Sequence, residues 1–402
     1  MLASSESLFP LEALSQGDLA NVCEVLWGWR PCKDWIRGRN CQQRSNANDC
    51  ICRRADILAP FFDFYKNVTA SYLPELTSGS IPALRTHKDL LTVIKSIKSS
   101  PDKSRSDLTK EHFGLCARSA FQIPPSNDQS RAFGLAVRVM TMIPCSLENQ
   151  LEGLLETGLL PAVWRSDQSF NEFIHTTIPR GYDVTFESGI DIPPNMSLPL
   201  GCITAKRLEK DGKLKIVPTD NLRDHLLLDE MNGTVAVYHY TSVLKQHLMA
   251  SPNPETCGGS NLSIDHYEAV PRQLALETLD TLRHIIFPIE REPQSILRSL
   301  IIREKFDPDN NCIDTIFLQH PNGEPIRYEY WGTRLWRLHE ELEHPTPRGT
   351  VENWLERRSG SRYIMLVTLL GVLIAILLGA LSLSVSIFQA WVSWQQWRHP
   401  IS

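Results

Sequence analysis

The chain has 402 residues, with 41 Lys and Arg against 46 Asp and Glu for a net charge of −5, and 42% of its residues are hydrophobic. That length leaves room for two or three folded units, and that balance excludes a polytopic membrane protein, a collagen-like or heptad fibre and a wholly disordered tail. The mild acidity offers no basic stripe, so no nucleic-acid partner is expected.

The opening sequence, MLASSESLFPLEALSQGD, has no basic stretch followed by an apolar run. It does not read as a secretory signal, so the ten cysteines are expected as free thiols in a reducing compartment. Cys23, Cys32, Cys41 and Cys50 recur every nine residues, with Cys52 just behind. A zinc site usually brings its thiolates in as pairs about two to four residues apart, because one tight turn must aim both at one ion. The nine-residue spacing does not do that, and no metal ligand set is assigned.

Residues 16–98 read as helical. Leu19, Val22, Cys23 and Leu26 fall on one face, and Thr86 can cap a helix carrying Leu90, Leu91, Ile94 and Ile97. The polar stretch 99–107, SSPDKSRSD, is expected to be a loop or boundary. A second helical block covers about 108–175, and its apolar run GLAVRVMTMI ends at Pro144, which has no N–H to continue a helix.

Between 181 and 240 the pattern changes to strands. In CITAKRLEKDGKLKIV, residues 202–217, a loop of Lys210, Asp211 and Gly212 predicts a hairpin with Leu208 opposite Leu214 and Gly212 in the left-handed region. Asp220 or Asn221 is then placed to cap a short helix, NLRDHLLLD, and TVAVYHY at 234–240 has the β-branched and aromatic bias of a strand. His225 and His239 are expected as packed, hydrogen-bonded side chains. After a loop rich in Pro, Gly and Ser, helices return with stripes at Ala275, Leu279, Leu282 and Ile286, at Ile296, Leu297, Leu300 and Ile301, and at Trp331, Leu335, Leu338 and Leu342.

The strongest feature comes last. Residues 363–391, YIMLVTLLGVLIAILLGALSLSVSIFQAW, carry no charge, and about 20 apolar residues suffice to span a bilayer core. Tyr363 marks one interface and Trp391, Trp394 and Trp397 the other. Arg348, Arg357, Arg358 and Arg362 precede the span and only Arg398 follows it, which places the long N-terminal part in the cytosol and makes the chain tail-anchored. Gly371, Ala375 and Gly379 stand at i, i+4 and i+8, a spacing that lets two membrane helices approach closely and self-associate. Four sequons, at Asn67, Asn195, Asn232 and Asn261, become glycan acceptors only if the topology is inverted, and the N-terminal cysteines then become disulfide candidates.

The phosphate-cradling, dinucleotide, nucleophile-elbow and HExxH motifs are all missing, and no catalytic residue or cofactor is assigned. The elements NLRDHL (221–226), VAVYHY (235–240), LETLDTLRHIIFP (276–288) and the ending from WLERRSGSRY through FQAWVSWQQWRHP resemble a large group of uncharacterised filamentous-fungal proteins with a single C-terminal transmembrane helix. The resemblance covers roughly residues 100–402 and is most specific at the C-terminus. It implies lineage-restricted, often multicopy genes, some in subtelomeric clusters linked to hyphal surface and biofilm traits, and no catalytic residues to carry over.

The expected fold is α+β, a mainly helical soluble domain with a small β element plus one C-terminal transmembrane helix. The segments are a cysteine-rich helical region (1–98), a main domain (108–343), a juxtamembrane linker (344–362), the membrane helix (363–391) and a short tail (392–402). The expected function is that of an interaction or regulatory protein anchored in an endomembrane or the plasma membrane, with the lipid bilayer and unidentified proteins as partners. The alternative is an anchored enzyme of unknown class.

Overall fold

The structure is a computed structural model that describes residues 9–39, 51–75, 80–117, 123–146, 162–181, 203–251, 269–311, 328–346 and 362–398. The chain divides into one compact unit, Met1–Asp229 with Gly233–His344, and a second, Glu230–Asn232 with Pro345–Ser402. The first is mainly helical with small sheets, and the second contains one long apolar helix, which is the fold class expected from the sequence.

Helices begin where a short polar side chain can satisfy the first N–H groups. Helix α1 (Gln16–Trp27) opens on a Ser15/Asp18 capping box and closes at Gly28, whose φ of 75° lies in the left-handed region that glycine enters without steric cost. Helix α2 (Lys33–Ile36) is a single turn with Cys32 at its N-cap. Helices α3 (Ile51–Ile57) and α4 (Ala59–Ala70) follow, and α4 turns Phe61, Phe64, Tyr65 and Val68 inward. In α5 (His87–Ser99) the expected Thr86 cap is present as a box with Asp89, and Leu90, Leu91, Ile94 and Ile97 are buried as expected. The Lys98 ammonium donates to the carbonyls of Val25 (2.8 Å) and Leu26 (3.0 Å), which brings a cation to the C-terminal end of α1.

Of the polar stretch 99–107 only residues 100–104 form a loop, because α5 ends at Ser99 and α6 (Arg105–Ala117) begins inside it. Its backbone is tied to a distant segment: Arg105 N donates to Gln168 O at 3.0 Å, and Phe170 N donates to Pro101 O at 3.0 Å. Helix α7 (Ser126–Thr141) ends before Pro144 with Met142 at φ 56°. Within it the buried Asp128 accepts from the Tyr72 hydroxyl (2.8 Å) and from Ala83 N (2.6 Å). The two-residue strands β1 (Cys145–Ser146) and β2 (Ala162–Val163) pair in parallel. A Ser169/Glu172 capping box opens α8 (Phe170–Thr177).

The hairpin expected at 202–217 does not form. Residues Ala205–Lys210 make helix α9, capped by Thr204, and all six are good helix formers whose propensity prevails over the alternation. Leu208 and Leu214 are both buried, without cross-strand pairing. Gly212 is needed for space and not for a left-handed conformation. A Cβ there would stand 3.1 Å from Leu208 O and 3.1 Å from Leu342 Cδ2, while the positive φ of 51° belongs to Lys213.

The sheet is β3 (Lys215–Thr219), β4 (Leu227–Asp229) and β5 (Thr234–Tyr238) in the order β3-β5-β4, parallel between β3 and β5 and antiparallel between β4 and β5. Its hairpin turn is at residues 230–233, where Gly233 takes φ 63° after Asn232. Pro218 costs no ladder bond because β3 is an edge strand. Asn221 caps as expected, but only a single 3-10 turn, Leu222–Asp224. Leu226 leaves the helical region at φ 59° and gives its N–H to Ala236 O at 2.8 Å, starting β4 instead.

Three of the remaining helices carry the expected stripes. Helix α10 (Thr241–Ala250) leads to α11 (Arg272–Asp280), which widens into a π turn at Thr281–Ile286 and stops at Phe287. Helix α12 (Arg291–Arg303) buries Leu297 and Leu300, and α13 (Gly332–Glu343) buries Leu335, Leu338 and Leu342. Buried side chains from α1 through α13 form one core cluster, with Trp164, Trp331, Tyr65 and Tyr238 among its largest members.

Candidate functional site

The last helix, α14 (Arg362–Arg398), has 37 residues and is about 55 Å long at 1.5 Å per residue. Among the described residues it is the one helix long and apolar enough to cross a membrane, with a mean hydropathy of 2.5 over its most apolar window and none of that window buried. Two of its serine hydroxyls bond within the helix: Ser384 Oγ donates to Ala380 O at 2.8 Å and Ser386 Oγ to Ser382 O at 3.0 Å. Hydrocarbon offers no partner for a polar group, so this back-bonding is what lets serine sit in such a helix. At the far end Arg398 lies over the Trp394 ring, 4.5 Å from its centroid, and Phe388 packs beside Trp391. Gly371, Ala375 and Gly379 lie on the exposed surface of α14, and a Cβ added at either glycine would meet nothing within 4 Å.

In the helical unit, an open cleft of about 830 Å³ lies between α4 and residues 301–309. Its wall carries both signs of charge, with Asp56, Asp63 and Asp220 facing Lys66, Arg138 and Lys305. Behind it lies a buried polar cluster built by the run Phe306–Asn310 against the start of α10. Tyr240 gives α10 no side-chain cap, and Asp307 supplies one from 65 residues away, accepting from Ser242 N at 3.0 Å and from Ser242 Oγ at 2.5 Å. Asp309 accepts from Thr241 Oγ1 (3.0 Å) and from Lys245 Nζ, which reaches its two carboxylate oxygens at 2.9 and 2.8 Å. Burial pushes the Asp307 carboxyl above its ordinary range.

The two histidines singled out in the sequence are both buried. His239 Nδ1 accepts from Asp307 N at 3.0 Å, and its Nε2 stands 3.7 Å from Asp220. His239 and the Tyr240 hydroxyl, which donates at 3.0 Å, hold the Asp220 carboxyl below the usual carboxylate range, with Arg138 contributing. His225 Nδ1 accepts from Tyr238 N at 3.2 Å, so its Nε2 carries the proton toward Thr281 Oγ1 at 2.8 Å. Burial keeps that ring neutral. Each histidine has its Nδ1 occupied by a backbone N–H.

Asn67 sits inside α4 on the cleft wall, and Thr69 of the same sequon is buried with its hydroxyl donating to Tyr65 O at 2.8 Å. Asn232 is exposed in the β4–β5 turn. Asn195 and Asn261 lie outside the described residues. Cys23 is buried and Cys145 partly so, both as free thiols. Sequence spacing missed two features. The Asp307–Asp309–Lys245 cluster joins residues more than sixty apart, and Cys32 Sγ comes within 2.8 Å of Cys52 Sγ. Among the described residues no group of three or more His, Cys, Asp or Glu is placed to hold a metal ion. Comparison with protein-family models, with curated proteins and with solved structures finds no match to this chain.

Proposed function

We propose that the chain is a single-pass membrane protein, anchored by α14, whose helical unit is an interaction or regulatory module on the cytosolic side, like the filamentous-fungal group its sequence resembles. The observation that carries this reading is α14 itself, long, apolar all round, exposed, and with the Ser384 and Ser386 hydroxyls bonded within the helix. The arginines before the span, against Arg398 alone after it, favour the cytosolic side. The mixed-charge cleft supports recognition as the unit's role.

Deleting residues 359–402 is expected to move the protein from the carbonate-resistant membrane fraction to the soluble fraction. A truncated chain that still resists carbonate would remove α14 as the anchor. In the same fractions, the intact protein is expected to show no glycosidase-sensitive mobility shift. A shift lost on Asn232→Gln would put the unit in the lumen.

The self-association expected of Gly371, Ala375 and Gly379 belongs to the same reading. Because a side chain at Gly379 meets nothing in the helix's own surroundings, Gly379→Ile is expected to leave insertion intact while reducing crosslinking between differently tagged copies by several-fold. Equal crosslinking in the variant and the parent would exclude that face.

A further inference from the structure

Cys32 and Cys52 lie 20 residues apart, yet their sulfurs approach to 2.8 Å. Two thiolates on one tetrahedral zinc ion, each about 2.3 Å from the metal, stand roughly 3.8 Å apart, and these two sulfurs are closer than that. Their approach is a contact on the way to the bond of about 2.05 Å that joins a disulfide. The surrounding elements hold the pair in place. Cys32 is the N-cap of α2, and Cys52, only 3% exposed, lies in the first turn of α3. Trp35 of α2 donates from Nε1 to Asp56 of α3 at 3.3 Å, and its ring packs on Phe62 of α4 at 5.9 Å.

We infer that Cys32 and Cys52 are an oxidisable thiol pair that closes to a disulfide by exchange with a low-molecular-weight disulfide, fastening α2 to α3. The more exposed Cys32, as thiolate, attacks one sulfur of the small disulfide and expels the other half as a thiolate. Cys52 then loses its proton and displaces the second half, so two protein thiols and one small disulfide become one protein disulfide and two small thiols. Asp56 and Ile57 of α3 line the cleft, so the oxidised pair braces one cleft wall.

The test equilibrates the full-length protein in detergent across ratios of reduced to oxidised glutathione, quenches by alkylation and maps the peptides. A Cys32–Cys52 link is expected to rise with the oxidised fraction, to reverse with reductant, to persist in Cys41→Ser/Cys50→Ser, and to vanish in Cys32→Ser, where serine preserves the α2 cap. Alkylation of both thiols at every ratio would overturn the inference, as would a link from either residue to Cys41 or Cys50. Zinc retained at one per reduced chain and lost in Cys32→Ser would assign the pair to a metal instead.

Discussion

Replacing Glu277 by Ala is expected to cost about 3–5 kcal/mol of stability, read as a fall in the urea midpoint of the full-length protein in detergent. Glu277 is fully buried in α11, and its carboxylate receives four donors. Glu329 N (2.7 Å) and Gln273 Nε2 (3.1 Å) reach Oε1, while Tyr330 N (2.9 Å) and Trp331 N (3.1 Å) reach Oε2. Those three backbone groups lead into α13, which has no side-chain cap of its own at Trp331. Alanine strands all three, those of Tyr330 and Trp331 in the core, and each buried orphan costs roughly 1–3 kcal/mol. The same side chain sets a pH dependence. Burial raises Glu277 from 4.5 to about 7, so the folded state holds the proton more tightly than the unfolded one. Its contribution is therefore full below about pH 4.5 and is lost as pH rises through about 7. Glu277→Gln puts an amide nitrogen where one oxygen accepted two donors, so it is expected to cost about 1–3 kcal/mol per stranded donor and to abolish this component of the slope. An unchanged midpoint in the alanine variant, or an unchanged slope in the glutamine variant, would count against this account.

Lys245→Met is expected to destabilise the helical unit by about 3–5 kcal/mol, because it leaves the Asp309 carboxylate buried without its cation beside the equally buried Asp307. The lysine is only 4% exposed, so water cannot take its place. Lys245→Met/Asp309→Asn is expected to lose less than the sum of the two single variants, since removing both charges removes the stranded one. Additive losses in that double-mutant cycle would mean that the pair is not coupled.

These two sites were not legible in the sequence, for a physical reason. Glu277 is joined to residues 329–331 and Lys245 to Asp309, and nothing local to either partner announces the other. The features that could be read were those carried by neighbours in the chain: the Thr86 cap, the stripes of α5, α11 and α13, strand β5 and the long apolar helix. At 202–217, by contrast, the deciding information is local to the segment. Ala205–Lys210 is a run of helix formers behind a threonine cap, and the Asn232-Gly233 pair is a stronger hairpin signal than the Lys210–Gly212 stretch. Spacing along the chain does not say which sulfurs meet, and in the folded unit Cys32 and Cys52 come together across 20 residues.

The position of α13 bears on how the molecule is made. Trp331, Leu335, Leu338 and Leu342 belong to the single core, and Arg334 holds the carbonyls of Arg223 and His225, so everything synthesised earlier waits for this helix to close its hydrophobic surface. Fewer than sixty residues separate the end of α13 from the end of α14, about 3–11 seconds of translation at about 5–20 residues per second. Completion of the globular unit and emergence of the apolar helix thus fall in the same brief interval at the ribosome. A factor that shields nascent apolar chain would meet both at once.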